Sequence, residues 1–245
     1  MNTLNLALIG YGKMGQAIER LAKAKADSYK IAGVYCRSDT SIADTVRTAD
    51  LIIDFSSPSL TESVIQEAVA FRKPLLIGTT GLSPEILLKV KEAASHIPIC
   101  LAPNTSLAVT VLSMVSETVG KLLGEEYDVE ILETHHRDKV DAPSGTALML
   151  GQSVAKGRGQ NLEDVTTYPR QDKRKQGNIG FAVSRGGGVF GEHSVRFLGD
   201  HDILELSHKA MSRDLFAKGA LVLGKILIKK PKGLYSPSNL LYGAI

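Results

Sequence analysis

A chain of 245 residues with 43% hydrophobic content can bury one large core or two small ones, and its formal charge of +3 is spread along the sequence instead of forming a basic arm. With six Phe and no Trp, a nucleic-acid partner is not expected, and the mild positive balance suits small anionic molecules better. No apolar run approaches the ~20 residues that span a bilayer, so a cytoplasmic protein without membrane association is expected.

The first apolar burst, residues 4–10, runs directly into Gly10-Tyr11-Gly12-Lys13-Met14-Gly15 and then into QAIERLAKAKA. This puts G-x-G-x-x-G at a strand-to-helix junction, where it marks a dinucleotide site. Gly10 permits the tight turn, Gly12 lets the backbone approach a pyrophosphate, and Gly15 lets helix and strand pack closely. The anion then rests on unpaired amides at the helix start. Further bursts at 30–36, 50–56, 73–81 and 97–104 look like strands buried on both faces. Between them, Ser57-Pro58 and Ser83-Pro84 open helices, serine capping the free amides and proline fitting the first turn. Residues 38–49 read as a turn between the second and third strands. Such alternation builds a parallel sheet with right-handed crossovers.

Beyond Asn104 the texture changes. A long helix over 105–124 precedes YDVEILE (127–133), whose alternation suggests a strand with one solvated face, and a second helix spans about 144–156. Residues 166–178 are polar and basic, and read as a solvated, mobile loop. Strands over 179–187, 191–199 and 202–210 are separated by Gly-rich or Gly-Asp turns, the signature of antiparallel hairpins. Ser212 then caps a final helix, RDLFAKGALVLGKILI. The expected fold class is α/β: a Rossmann-like doubly wound parallel sheet plus a second α+β domain with a mixed, largely antiparallel sheet. The dinucleotide-binding domain takes residues 1–105 with 215–245. Residues 106–214 form the domain for substrate binding and oligomerisation.

Cofactor-binding candidates are Gly10, Tyr11, Gly12, Lys13, Met14 and Gly15 in the loop, and Arg37 after the second strand. That strand ends without an acid, and the planar fork of Arg37, helped by Lys13, suits a 2′-phosphate, which favours NADPH while leaving NADH open. Gly78, Thr79 and Thr80, and Ala102, Pro103, Asn104 and Thr105, follow the fourth and fifth strands, where ligands bind in open parallel sheets, although turn and cap chemistry also explains such residues. The only cysteines, Cys36 and Cys100, lack metal-ligand spacing and read as buried thiols; no metal is expected.

The densest chemistry is ETHHRDKVDAPSGTA, residues 133–147. A histidine can shuttle a proton near neutrality, whereas a lysine holds an anion or protonates a leaving group. His135 and His136 are adjacent on a strand and so need not share a face. Ser144-Gly145-Thr146 looks like a helix start able to grip a carboxylate, though Ser144 alone is better read as a cap. Residues 130–147, EILETHHRDKVDAPSGTA, closely resemble the signature of the bacterial dihydrodipicolinate (4-hydroxy-tetrahydrodipicolinate) reductase family of lysine and diaminopimelate biosynthesis. The resemblance extends to the glycine loop, IGTTG, APNTS, RGGGVFGEH and LELSHKA, nearly the whole chain.

What the resemblance implies is NAD(P)H-dependent reduction of 4-hydroxy-tetrahydrodipicolinate to tetrahydrodipicolinate. In it hydride comes from the nicotinamide, and His135 and Lys139 act as proton donors or acceptors. His136, Gly145 and Thr146 then take the family's substrate-carboxylate positions, residues 78–80 and 102–105 its nicotinamide-binding segments, and a homotetramer is expected. The short 38–49 turn and Cys36, where the family often has an acid, depart from its pattern. The rivals are a nucleotide-sensing regulator, an amino-acid dehydrogenase of similar build and a metal enzyme; none needs the whole 133–147 cluster.

Overall fold

The computed structural model describes residues 3–36, 41–169 and 171–243. Contacts divide the chain into two compact units, Met1–Leu107 with Asp214–Ile245, and Ala108–Arg213. In chain order the first unit holds β1 (Leu4–Ile9), α1 (Lys13–Lys23), β2 (Tyr29–Tyr35), α2 (Ile42–Arg47), β3 (Leu51–Asp54), α3 (Pro58–Ala70), β4 (Leu75–Ile77), α4 (Pro84–Ala93) and β5 (Pro98–Leu101). The second holds nearly all of α5 (Leu107–Leu123), then β6 (Asp128–His135), α6 (Gly145–Gly157), α7 (Leu162–Val165), β7 (Thr166–Thr167), β8 (Ile179–Arg185), β9 (Glu192–Leu198) and β10 (Ile203–Lys209). The chain then completes the first unit with α8 (Asp214–Leu227), β11 (Gly233–Tyr235) and α9 (Pro237–Tyr242).

The first unit is an all-parallel sheet in the order β2-β1-β3-β4-β5-β11. Its central strands are largely apolar because both faces are covered, whereas the edge strand β2 carries the exposed Lys30 and buries only Tyr29 fully. Leu6, Leu8 and Ile53 pack with Ile18 of α1 and Leu221 and Leu223 of α8 on one face. Ile9, Ile52 and Ile77 pack with Val46 of α2, Val64 of α3 and Val90 of α4 on the other. Strand order reverses between β1 and β3, and the glycine turn follows β1 at that switch point.

Several expectations change here. Residues 38–49 contain α2, capped by Ser41, whose hydroxyl accepts from Asp44 N at 3.0 Å. Ser83 caps α4 through Ile86 N, but Ser57 makes no side-chain cap at α3 because its hydroxyl pairs with Ser59 instead. The final helix opens at Asp214, which pairs with Arg20 of α1 at 2.6 Å. The chain then adds β11 as a sixth strand beside β5. Cys100 is buried, but Cys36 is exposed just past the end of β2.

The second unit is a mixed sheet, β10-β9-β6-β8-β7. Alternate residues of β6 face a core in which Val129 and Ile131 meet Leu112 of α5 and Leu150 and Val154 of α6. β9 and β10 form the expected antiparallel hairpin. β8 and β9 do not: β6 lies between them, parallel to β8 and antiparallel to β9. The connection over 186–191 is long enough to carry the chain past the end of β6. The basic stretch at 166–178 is not simply solvated, since Arg174 is tied to Asp128 at 2.8 Å and to Glu130, and Thr166–Thr167 pairs with β8. No helix among the described residues is long and apolar enough to cross a membrane.

Candidate active site

The three loop glycines are small for different reasons. Gly10 has φ +90°, and a Cβ there would lie 2.3 Å from the Phe55 carbonyl oxygen. At Gly15 it would lie 2.2 Å from the Gly10 carbonyl oxygen. At Gly12 it would meet nothing within 4 Å among the described residues. The fold itself therefore requires Gly10 and Gly15 but leaves Gly12 unexplained. Gly12 is also the N-cap of α1 and supplies no side-chain cap, so this helix end fits a pyrophosphate. Lys13 is exposed, Met14 is half-buried against the core, and the Tyr11 hydroxyl donates to Glu19. Arg37 lies outside the described residues.

At the ends of β3 and β4 the fold accounts for two more candidates. A Cβ on Gly78 would lie 2.2 Å from the Phe55 ring, and the buried Thr79 hydroxyl accepts from Ser56 N at 3.1 Å. Asp54 beside them is buried, which pushes its carboxyl up, while bonds from Ser56 and Thr61 oppose the shift. Thr80 is exposed. After β5, Ala102 is buried and Pro103 exposed, and Asn104 Oδ1 accepts from Ser106 N at 2.9 Å. The buried Thr105 hydroxyl donates to the Phe216 carbonyl at 2.8 Å, which ties down α8.

In the second unit, sheet register assembles a cluster that extends beyond the 133–147 loop. Period-two alternation puts Glu133 and His135 on the buried face of β6. Glu133 stands opposite His193 of β9, which stands opposite His208 of β10, and His135 stands opposite Arg185 of β8. Glu133 Oε1 accepts from Ser144 N at 2.8 Å and from Arg185 Nη2 at 3.0 Å. Its other oxygen approaches His135 Nδ1 at 2.5 Å. Neither of those two atoms has a well-aligned hydrogen bond. The approach is therefore close but bent.

The His135 and His193 rings meet edge to face, 5.0 Å between centroids, and His193 Nε2 lies 3.1 Å from the Ser144 hydroxyl. Ser144 also accepts from Ala147 N at 3.2 Å, so it is buried as the cap of α6. Gly145 is exposed with nothing near its Cβ position, Thr146 is half-buried, and His136 is half-buried where the chain leaves β6. Lys139 Nζ pairs with Asp141 at 2.7 Å, and Arg185 also donates to the Asp141 carbonyl at 2.6 Å, which holds the loop. The structure thus brings together His135, Lys139 and Ser144. Glu133, Arg185 and His193 join them as residues that sequence reasoning did not assign.

The electrostatics follow from burial and charge. Burial pulls the Glu133 carboxyl upward, but the Arg185 guanidinium, the Ser144 amide and the neighbouring charges outweigh it and leave the group below its usual range. Burial lowers His135, with Glu133 opposing that shift and Lys139 and Arg185 adding to it. One ligand atom each from Glu133, His135 and His193 lies within 4.8 Å of the others, a spacing that would suit a metal ion. Arg185 already occupies the other oxygen of Glu133 and Lys139 adds further positive charge, so the group favours an anion over a cation.

Burial, reinforced by His135, pushes His193 down to about 4 from 6.5. A buried neutral histidine binds its proton less readily when folded, so its stabilising contribution is complete above 6.5 and is lost as the pH falls towards 4. From about pH 8 to about pH 5, the wild type should lose about 2 kcal/mol more unfolding free energy than a His193→Gln variant. Urea midpoints at the two pH values measure this difference, and parallel losses would show that His193 is not the titrating group.

A parallel sheet with a glycine turn at its switch point, together with a buried histidine-carboxylate pair and a lysine in the second unit, defines a two-unit α/β oxidoreductase. Family models described as dihydrodipicolinate reductase, N-terminus, and dihydrodipicolinate reductase, C-terminus, match residues 4–105 and 108–241. Relatives called 4-hydroxy-tetrahydrodipicolinate reductase include one from Zymomonas mobilis, 38% identical over 98% of both chains. Another, from Caulobacter vibrioides, is 40% identical over 94% of this chain and 93% of its own. A solved structure of dipicolinate-bound dihydrodipicolinate reductase from Paenisporosarcina sp. TG-14 covers 96% of this chain and 97% of its own, with 22% identity and a TM-score of 0.75. The chain belongs to the dihydrodipicolinate reductase family.

Proposed function

We propose that the protein catalyses NAD(P)H-dependent reduction of 4-hydroxy-tetrahydrodipicolinate to tetrahydrodipicolinate in lysine and diaminopimelate biosynthesis. The first unit is assigned to the dinucleotide and the second to the ring dicarboxylate. The observation that carries this reading is the His135–Glu133 pair, buried in the same unit as the Lys139 cation and the open helix start at Gly145. A dicarboxylate bound to the Paenisporosarcina relative supports the substrate class.

The nicotinamide, when bound, supplies the hydride. The remaining needs fall to the chain's own side chains. His136, Thr146 and the amides at the start of α6 orient the carboxylates. Loss of the ring hydroxyl as water delivers a proton to the departing oxygen and removes one from the neighbouring ring carbon, and the hydride step then requires one further proton on the ring. Lys139 Nζ and His135 Nε2 are the two groups assigned to these transfers. The open space at Gly12 among the described residues and the exposure of Lys13 support binding of a dinucleotide pyrophosphate, with NADPH or NADH as the hydride source.

A cytoplasmic homotetramer completes the reading. Within the second unit α5 and α6 pack on one face of the sheet, while Ile203 of β10 is exposed on the other. The deciding experiment mixes purified protein with freshly generated 4-hydroxy-tetrahydrodipicolinate and follows absorbance loss of NADPH and of NADH in parallel. If neither is consumed, the proposal is rejected.

Lys139→Ala should lower kcat/KM for the diacid by about 10- to 100-fold, the worth of one charge-assisted contact, with both a raised KM and a reduced kcat. Initial-rate kinetics measure both parameters, and an unchanged KM would remove Lys139 from the carboxylate contacts.

A further inference from the structure

We propose that Glu133 is a positioning residue that fixes the tautomer of His135, holding the ring proton on Nδ1 and leaving Nε2, over Gly191, as the atom that exchanges protons. The inference rests on the proposed reductase reaction for its role in turnover, but the tautomer itself does not depend on any substrate.

Three observations carry it. Glu133 Oε2 and His135 Nδ1 are both buried, lie 2.5 Å apart and have no other partner among the described residues, so each is the other's complement there. Glu133 Oε1 is already saturated by the Ser144 amide and Arg185, which fixes the carboxylate in the orientation that presents Oε2 to the imidazole. The opposite edge of the ring lies against a backbone opened by glycine: Gly191 has φ +152°, and a Cβ there would stand 2.9 Å from His135 Nε2. The motif RGGGVFGEH thereby gains a physical reason, since Gly191 makes room for Nε2 and His193 packs edge-on to the same ring.

The charged and titratable groups around His135 are Glu133 on its own strand, Lys139 in the following loop, Arg185 on β8 and His193 on β9, with His208 of β10 behind His193. Asp141 reaches this group through its ion pair with Lys139, and Glu133 is the carboxylate in direct contact with the ring. It is also the group that favours the imidazolium.

Glu133→Gln discriminates sharply. Two donors, Ser144 N and Arg185 Nη2, converge on the Oε1 position, so the amide oxygen must take that place and the amide NH2 must face Nδ1. The ring proton is then forced onto Nε2, and the imidazolium is opposed by a donor instead of being welcomed by an acceptor. The expected result is a fall in kcat of about 100-fold or more with the NADPH dissociation constant unchanged. The pH limb belonging to His135 should also move to lower pH. Glu133→Asp keeps the anion and should restore the limb more than the rate. A residue that merely supported the fold would reduce amplitude without displacing the limb.

Nitrogen-15 NMR of histidine-labelled wild-type protein at neutral pH reads the tautomer directly and needs no variant to fold. The proton should be on Nδ1 in the wild type and on Nε2 in Glu133→Gln. A wild-type ring protonated on Nε2 overturns the proposal, as does a Glu133→Gln enzyme with unchanged kcat and pH limb. If the substrate assay fails while the wild-type ring carries its proton on Nδ1, the reductase reading falls and the positioning role stands.

Discussion

Replacing His135 with Gln should lower kcat by roughly 100- to 10,000-fold while leaving the NADPH dissociation constant within about twofold of wild type. The range is that of a lost general acid-base group. Gln fills much the same volume and can hydrogen-bond to Glu133, but it cannot carry a proton to or from the substrate. The fold should tolerate the change, because Glu133 keeps Arg185 and the Ser144 amide as partners and no buried charge is left alone. Initial rates with freshly generated substrate give kcat, and fluorescence titration gives cofactor affinity. A variant that turns over normally but has lost NADPH affinity would place His135 on the cofactor side and remove the mechanism proposed for it.

This prediction was available from the sequence; the reason His135 is held in place was not. His135 and Lys139 stood out because packing gives no cause to crowd two histidines and a lysine before a helix start. Glu133 was half-legible. The alternation 129, 131, 133, 135 puts a carboxylate on the apolar face, and a charge there demands a partner. The partners, Arg185 and His193, lie some fifty to sixty residues further along the chain, and only sheet register brings them to Glu133. Strand neighbours are a non-local choice, which is also why local hairpin signals paired β8 with β9 when β6 lies between them.

The first unit was easier to read because its central strands contribute apolar side chains to both faces of the sheet and need no register to be recognised. The elements missed there are short. α2 has six residues and β11 three, too few to display a period, and both are stabilised by what they pack against. The candidates Thr79 and Thr105 show the converse limit: a hydroxyl at a strand end looks the same in sequence whether it faces a ligand or ties two segments together, as both do here.

The glycine loop separates fold from ligand in one experiment. Gly10→Ala should cost about 2–4 kcal/mol of stability, since it combines a strained positive φ with a clash against backbone that cannot rotate away. Gly15→Ala meets the Gly10 carbonyl at 2.2 Å and should be destabilised for the second reason alone. Gly12→Ala behaves differently: its backbone, φ −73° and ψ −162°, suits any residue, and the added methyl meets nothing within 4 Å among the described residues. Its stability should change by less than about 1 kcal/mol, the scale of an N-cap substitution. Its NADPH affinity should nevertheless fall by about 10-fold or more, because the methyl then occupies the approach of the pyrophosphate to the α1 amides. Urea unfolding and cofactor titration on the three variants give both quantities. Should Gly12→Ala bind NADPH as well as wild type does, the loop is a turn of the fold and the dinucleotide must be held elsewhere.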